Sequence, residues 1–125
     1  MRFMVIVKAT KDSEKPDAKP ALEDMAEMGK FNDELIKAGV FLDGLGLQPS
    51  AKGARIVFTG DKRTVVDGPF AESKELIAGF WLVQMKSLEE CVEWFKRVPH
   101  PHKGADTNIE IRRVWEEADF AQLAK

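Results

Sequence analysis

Two segments of the chain are apolar at nearly every position, and this pattern constrains the fold more than any other feature. Residues 3–7 read FMVIV, and residues 79–85 read GFWLVQM. Both segments are short and rich in β-branched or aromatic side chains, which predicts strands. Because alternate side chains of a strand point to opposite faces of its sheet, both faces of these strands must be covered.

A first amphipathic helix is predicted at residues 20–38. Pro20 suits a first helical turn, and Gly39 suits a C-terminal cap. Glu23 and Asp24 complement the positive end of the helix dipole. Apolar side chains recur at spacings of three and four and predict a buried stripe. The stripe consists of Leu22, Met25, Met28, Phe31, Leu35 and Ala38.

A second helix is predicted to begin after Ser87. The spacing of Ser87 and Glu90 matches a capping box, and Pro99 ends the helix. Cys91 lies within its apolar stripe, where a buried, inert side chain is expected. The stripe consists of Leu88, Cys91, Val92, Phe95 and Val98.

The remaining strand-like segments complete a recognisable order. Residues 54–58 and 63–66 flank TGDK, which is typical of a β-hairpin. Residues 40–47 and 108–115 predict two further strands, and residues 116–124 a short closing helix. We therefore predict one α+β domain over residues 1–125, with a ferredoxin-like βαββαβ fold and an inserted β-hairpin.

The two helices of this fold cover only one face of the sheet, so the second apolar face needs another cover. A second copy of the chain would supply it by packing sheet against sheet about a two-fold axis. The sequence therefore predicts a homodimer whose facing sheets form a dimeric α/β-barrel.

Composition excludes several classes of function. The formal net charge is -2, so no basic field recruits nucleic acid directly. The single cysteine forms no intramolecular disulfide, and no apolar run is long enough for a signal peptide or a membrane span. A cytoplasmic protein is expected. Glycine-rich phosphate loops, CxxC pairs and GxSxG elbows are missing from the sequence, so any reaction is expected to need no cofactor.

The segment between the hairpin and the second two-faced strand carries the candidate site. Asp67, followed by glycine and proline, is either a turn residue or an acid/base and ligand acceptor. Two carboxylates, Glu72 and Glu75, flank the ammonium of Lys74, so the three are either solvated charges or a polar cluster for catalysis and ligand binding. Phe70 either fills the core or forms a wall for a ligand.

Further candidates lie outside that segment. His100 and His102 flank a proline, and either is a candidate general acid/base; no third ligand is clustered with them, and no metal site is predicted. Trp81 is a second candidate for an apolar ligand wall. Arg112 is expected to bind a carboxylate, either on a ligand or in a salt bridge to Asp67 or Glu72.

The run DGPFAESKE at residues 67–75, followed by Gly79 and Phe80, resembles the signature of DGPF-domain proteins in the YCII-related superfamily. FNDEL at residues 31–35, GLGLQP at residues 44–49 and EIR at residues 110–112 also resemble their counterparts in that family. The resemblance implies a bacterial, cytoplasmic protein with a dimeric α/β-barrel fold.

The resemblance also implies two kinds of function. Some relatives carry a histidine in the first helix that pairs with an aspartate, and one is a dehydrochlorinase acting on a hydroxylated aromatic ring. Residues 20–38 contain no histidine, so that pair is not carried over. We expect a binding protein for a small polar or aromatic ligand, or a cofactor-independent enzyme of the proton-transfer or elimination type, with its cleft near residues 67–70. The alternative is a non-catalytic regulatory or interaction module associated with sigma-factor-dependent transcription.

Overall fold

Strands β1 (Arg2–Lys8) and β5 (Ile77–Gln84) lie side by side at the centre of a four-stranded antiparallel sheet. β2 (Phe41–Gly46) pairs with β5, and β6 (Ile109–Arg113) pairs with β1. The order β2-β5-β1-β6 is compatible with the predicted ferredoxin-like α+β fold. The structure is a computed structural model that describes residues 1–123 and, for Lys74, the backbone alone.

Two helices cover one face of this sheet. Helix α1 (Leu22–Lys37) and helix α2 (Leu88–Phe95) pack on the side chains that alternate inward from β1 and β5. Phe31 contacts Trp81 and Phe95 edge to face, with ring centroids 6.1 and 5.3 Å apart. The buried core cluster consists of Phe3, Val5, Val7, Phe31, Leu35, Trp81, Val83, Met85, Cys91 and Phe95.

The predicted helical stripes are only partly buried. In α1, Phe31 and Leu35 are buried, whereas Leu22 and Met25 are 83% and 53% exposed. The prediction was wrong for both residues, because Met25 borders a cleft instead of packing on the sheet, and Leu22 faces solvent from the first turn of α1. In α2, Leu88 and Val92 were also predicted to be buried, and both are exposed. Only the side of this short helix that carries Cys91 and Phe95 faces the sheet.

A third helix, α3 (Glu117–Leu123), follows the last strand. Glu116, just before it, accepts from Arg2 at 3.1 Å and so fastens the start of α3 to β1. This interaction lowers the pKa of Glu116. The predicted end of the helix at Ala124 lies outside the described residues. Among residues 1–123, no helix is both long enough and apolar enough to cross a membrane.

The sheet face opposite the helices carries a half-buried apolar strip, which we call the open face. Cross-strand pairing places Met4 beside Leu82 and Ile6 beside Phe80. On β6, the same face carries Glu110 and Arg112. The central strands therefore present apolar side chains on both faces, as their sequences predict.

The predicted hairpin is formed by β3 (Ala54–Thr59) and β4 (Lys62–Asp67), which pair with each other in a separate two-stranded sheet. Gly60 in its turn has a φ of 60°, a conformation that favours glycine. Every residue of both strands is exposed. The large apolar side chains among them are Ile56, Val57, Phe58, Val65 and Val66.

Burial makes Cys91 unreactive. Burial, and to a smaller extent the carboxylate of Glu90, raises the pKa of the Cys91 thiol to about 11. We expect iodoacetamide at pH 8 to alkylate the folded protein far more slowly than the guanidinium-unfolded chain, with mass spectrometry as the measurement. Equal rates for the folded and unfolded chains would contradict this burial.

Candidate functional site

A two-chambered cleft opens where the start of α1 meets the ends of β2 and β5 and the loop that follows α2. The outer chamber measures about 700 Å³ and the inner chamber about 300 Å³. The chambers adjoin, because several residues line both of them. These shared residues are Pro20, Asp24, Gly46, Ala78, Pro101 and His102.

The inner chamber has mostly apolar walls. Met25 and Met28 of α1 form one side, and Phe80 and Trp81 of β5 form another. Gly44 lines the same space, and a Cβ atom there would lie 3.1 Å from the Trp81 ring. The glycines of β2 therefore leave room that side chains would occupy.

His102 is held by a hydrogen bond to the sheet. Its Nε2 atom lies 2.7 Å from the carbonyl oxygen of Lys8, the last residue of β1. A carbonyl oxygen only accepts hydrogen bonds, so Nε2 carries the proton and, in the neutral ring, Nδ1 carries a lone pair. The described residues provide no hydrogen-bond partner for Nδ1, and none of their buried side-chain nitrogens or oxygens lacks one. Nδ1 is therefore accessible.

Lys103 holds the same loop against α1. Its ammonium lies 3.0 Å from an Asp24 carboxylate oxygen and 2.9 Å from one of Glu27. Hydrogen bonds to Glu27 and then to Asp24 are the main causes that raise the pKa of Lys103. Neighbouring residues thus tie the loop to both β1 and α1, so this wall of the cleft is fixed at two points.

Asn32 brings an amide to the inner chamber. The indole N–H of Trp81 donates to Asn32 Oδ1 at 2.7 Å. Asn32 is half-buried and lies one helical turn after Met28 on the same side of α1. The cleft therefore combines an apolar chamber with an imidazole, a carboxylate and an amide.

The DGPF segment lies at the base of the hairpin, outside the cleft lining. Gly68 N–H donates to the Gly53 carbonyl at 3.1 Å, and a Cβ atom on Gly68 would lie 1.7 Å from the Ser50 carbonyl oxygen. The Gly68–Pro69 peptide bond is cis. The backbone N–H of Phe70 donates to Ser50 Oγ at 3.1 Å. The segment therefore fastens the hairpin to the 3₁₀ turn Ser50–Lys52.

Ser50 connects this segment to the wall of the outer chamber. Its backbone N–H donates to Glu14 at 3.0 Å, and its hydroxyl also donates to the Glu14 carboxylate. Glu14 belongs to the loop that supplies Asp12 and Ser13 to the outer chamber. The DGPF segment thus supports the cleft through a chain of hydrogen bonds while contributing no lining residue.

The other residues predicted for the site are dispersed. Asp67 ends β4 and is exposed, as are Glu72 and Glu75, and none of the three lines either chamber. The side chain of Lys74 lies outside the described part of the structure. Phe70 is half-buried beneath the guanidinium of Arg55, 3.9 Å from the ring centroid. The catalytic roles assigned to these residues stay predictions.

Three further candidates have different surroundings. Trp81 is 5% exposed and lines the inner chamber. His100 is exposed, and its Nδ1 accepts from the backbone N–H of His102 at 3.1 Å. Arg112 contacts Glu110 at 3.2 Å, so the salt bridge expected to Asp67 or Glu72 does not form. Arg112 and Glu110 lie together on the open face of the four-stranded sheet, whereas the hairpin forms a separate sheet.

Asp24 and Asn32 are functional candidates that sequence reasoning missed. Both lie four residues from Met28, so the three side chains share one face of α1. Polar residues at these positions interrupt an otherwise apolar face, which was the available signal. His102 was considered together with His100, and only the structure separates the two.

A four-stranded antiparallel sheet with helices on one face and a cleft at its strand ends defines this chain as an α+β protein with a cavity of small-molecule size. The chain matches the YCII-related domain over residues 1–117 and belongs to that family, which confirms the membership predicted from residues 67–75. It is 30% identical over 70 residues to an uncharacterised protein of Rhizobium meliloti (strain 1021). This match covers 56% of each chain, so it spans about half the length of that relative.

The close approach at Gly68 predicts a large effect of a single methyl group. We expect Gly68→Ala to lower the free energy of unfolding by about 3 kcal/mol or more, because its Cβ would overlap the Ser50 backbone. Gly29→Ala is the control: nothing lies within 4 Å of a Cβ there, and alanine in α1 should stabilise the protein by about 1 kcal/mol. Chemical denaturation measures both, and similar values for the two variants would contradict the packing described.

Proposed function

We propose that the cleft binds a small polar or aromatic molecule, and that His102 acts as a base that takes a proton from this molecule without the help of a cofactor. The observation that carries this proposal is the hydrogen bond from His102 Nε2–H to the Lys8 carbonyl. It orients the ring and leaves Nδ1 as an accessible proton acceptor, and imidazole is the side chain best suited to proton transfer near neutral pH.

The dimensions and lining of the cleft support a ligand of modest size. Pockets for small molecules typically measure roughly 300–1,000 Å³ and combine apolar walls with a few polar groups. The inner chamber, at about 300 Å³, has that composition. The outer chamber, at about 700 Å³, adds lysine and aspartate side chains and connects the inner one to solvent.

The proposed step is a proton transfer in which His102 Nδ1 acts as the base. A C–H or O–H bond of the ligand breaks, its electron pair stays on the ligand, and Nδ1 takes the proton. Asp24 lines both chambers alongside His102 and is held there by the ammonium of Lys103. Return of the proton to another ligand atom gives an isomerisation, and departure of a leaving group gives an elimination.

A proton-exchange assay tests this base. We use 2-indanone, a compact aromatic ketone whose C–H groups next to the carbonyl exchange in D₂O, and follow the loss of their ¹H NMR signal. We expect the protein to accelerate exchange over buffer, and His102→Gln to lose about 100-fold or more of that acceleration.

His100 provides the control variant that identifies which histidine is the base. His100→Gln should retain the acceleration, because His100 lines neither chamber. If His100→Gln alone abolished exchange, His100 would be the base. If neither substitution changed the exchange rate, the proposal that this loop transfers the proton would be wrong.

We also propose that the open face is the homodimer interface, which would make the molecule a dimeric α/β-barrel. Its support is the half-buried apolar strip on β1 and β5, whose opposite face is already covered by the helices. Packing two such strips together removes both from water, and apolar burial is worth about 25 cal/mol per Å².

Sedimentation measures the assembly at micromolar concentration. Wild type is expected at twice the mass of one chain, and Ile6→Glu at the mass of one chain, because a carboxylate would be buried in the centre of the open face. Leu22→Glu, at an apolar side chain 83% exposed on α1, should stay dimeric. A wild type that sediments only as a monomer would refute the interface.

The alternative function is a non-catalytic interaction module associated with sigma-factor-dependent transcription. The observation that favours an interaction role is the hairpin β3–β4, whose apolar side chains are exposed on both of its faces. A two-stranded ribbon is marginally stable alone, so a partner that covered it would stabilise it. This surface is separate from the cleft lining, and substitutions can therefore separate the two functions.

A further inference from the structure

The orientation of the Asn32 amide is fixed by its neighbour. The indole nitrogen of Trp81 can only donate, so the atom 2.7 Å away must be the amide oxygen of Asn32. The amide nitrogen, Nδ2, with its two N–H donors, must then point away from Trp81. A flipped amide would place two donors against each other.

Trp81 is itself buried among other aromatic rings, which makes this orientation a property of the fold. Its side chain is 5% exposed and packs edge to face against Phe31 and Phe95, with centroids 6.1 and 5.2 Å away. The amide of Asn32 is therefore oriented before any ligand arrives, and a ligand that uses it need not bear the cost of ordering it.

The donors of Asn32 remain available. The described residues provide no acceptor for Nδ2, and no buried side-chain nitrogen among them lacks a partner, so Nδ2 has accessible surface. Asn32 lines the inner chamber among methionine and aromatic side chains. A ligand that displaces water from this wall must offer a hydrogen-bond acceptor to the N–H group, because a buried donor without a partner is costly.

We propose that Asn32 selects the ligand of the inner chamber, by donating from Nδ2 to a carbonyl-type oxygen whose apolar remainder fills the chamber. This inference rests on the proposed function of the cleft and names its ligand class as compact carbonyl compounds. The other polar groups at the chamber, His102 Nδ1 and the Asp24 carboxylate, are acceptors. Asn32 is therefore the group suited to the oxygen, and His102 to an acidic C–H beside it.

The proposed reaction is the enolisation of the carbonyl ligand. His102 Nδ1 takes a proton from the carbon next to the carbonyl, the C–H electron pair forms a C=C bond, and the carbonyl pair moves to oxygen. The resulting enolate oxygen accepts from Asn32 Nδ2–H, and a hydrogen bond to a charged acceptor is stronger than one to a neutral ketone. Return of the proton restores the imidazole and completes the cycle.

Two compounds of similar shape test whether Asn32 selects ligands that carry a carbonyl oxygen. They are 2-indanone and 2-methyleneindane, in which a CH₂ group replaces the carbonyl oxygen. Dissociation constants come from NMR titration of ¹³C-methyl methionine, since Met25 and Met28 line the chamber. In Asn32→Asp the carboxylate still accepts from Trp81 but cannot donate to the ligand.

The quantity compared is the dissociation constant of 2-methyleneindane divided by that of 2-indanone. We expect Asn32→Asp to lower this ratio by about tenfold, the effect of one neutral hydrogen bond at its upper range. Trp81→Phe, which frees the amide to rotate, should lower the ratio less. Asp33→Asn, one residue further along α1 and exposed, should leave it unchanged.

A direct observation in the wild type makes the test independent of how well the variants fold. The side-chain ¹⁵N–¹H₂ signals of Asn32 should shift with 2-indanone and much less with 2-methyleneindane. If both probes bind at Met25 and Met28 but these signals and the ratio do not respond, the role of Asn32 is overturned and the cleft proposal stands. If neither probe perturbs the two methionines, the cleft proposal is overturned, and the role of Asn32 with it.

Discussion

The antiparallel pairing of β1 with β5 is the constraint on which the remaining structure depends. Their register places Val5 beside Trp81 and Phe3 beside Val83 on the helical side, so the core and the Trp81 indole are fixed together. The same register places Ile6 beside Phe80 on the opposite side. A slip of one residue would exchange the two faces and remove Trp81 from both the core and the cleft.

Support for the cleft is distributed over segments that are distant in the chain. The pairing of β1 with β5 positions Trp81, which orients Asn32, while the last residue of β1 holds His102. On the outer side, the Gly68 turn and Ser50 hold the Glu14 loop. Residues 67–70 of the family signature therefore act, in this structure, through hydrogen bonds and close packing, and they line neither chamber.

The fold was predictable because its signals are local. Continuous apolarity in β1 and β5, the Ser87 capping box and the hairpin turn each identify an element without reference to the others, and their order gives the sheet. Side-chain burial within α1 was less predictable. Met25 follows the helical spacing of a core residue, but it faces a space left by glycines of β2, which local periodicity does not reveal.

The candidate cleft was poorly predictable for a related reason. Charge and turn residues drew attention to Asp67, Glu72 and Glu75, whereas the cleft is assembled from α1, two strand ends and the loop after α2. Asn32 and Trp81 are 49 positions apart, and their hydrogen bond depends on packing that no local pattern encodes. His100 and His102 belong to the same loop, and only the folded structure shows that His102 lines the cleft and His100 does not.

The inner chamber borders the sheet where two strands approach each other most closely. Cross-strand pairing sets Gly46 of β2 opposite Gly79 of β5, and both glycines line the chamber. A Cβ atom on Gly79 would lie 2.8 Å from the Leu45 carbonyl, so the two strands approach too closely there for a larger residue. A side chain at position 79 would therefore disturb both the lining of the chamber and the pairing of β2 with β5, which makes the shape of the cleft depend on the register of the sheet.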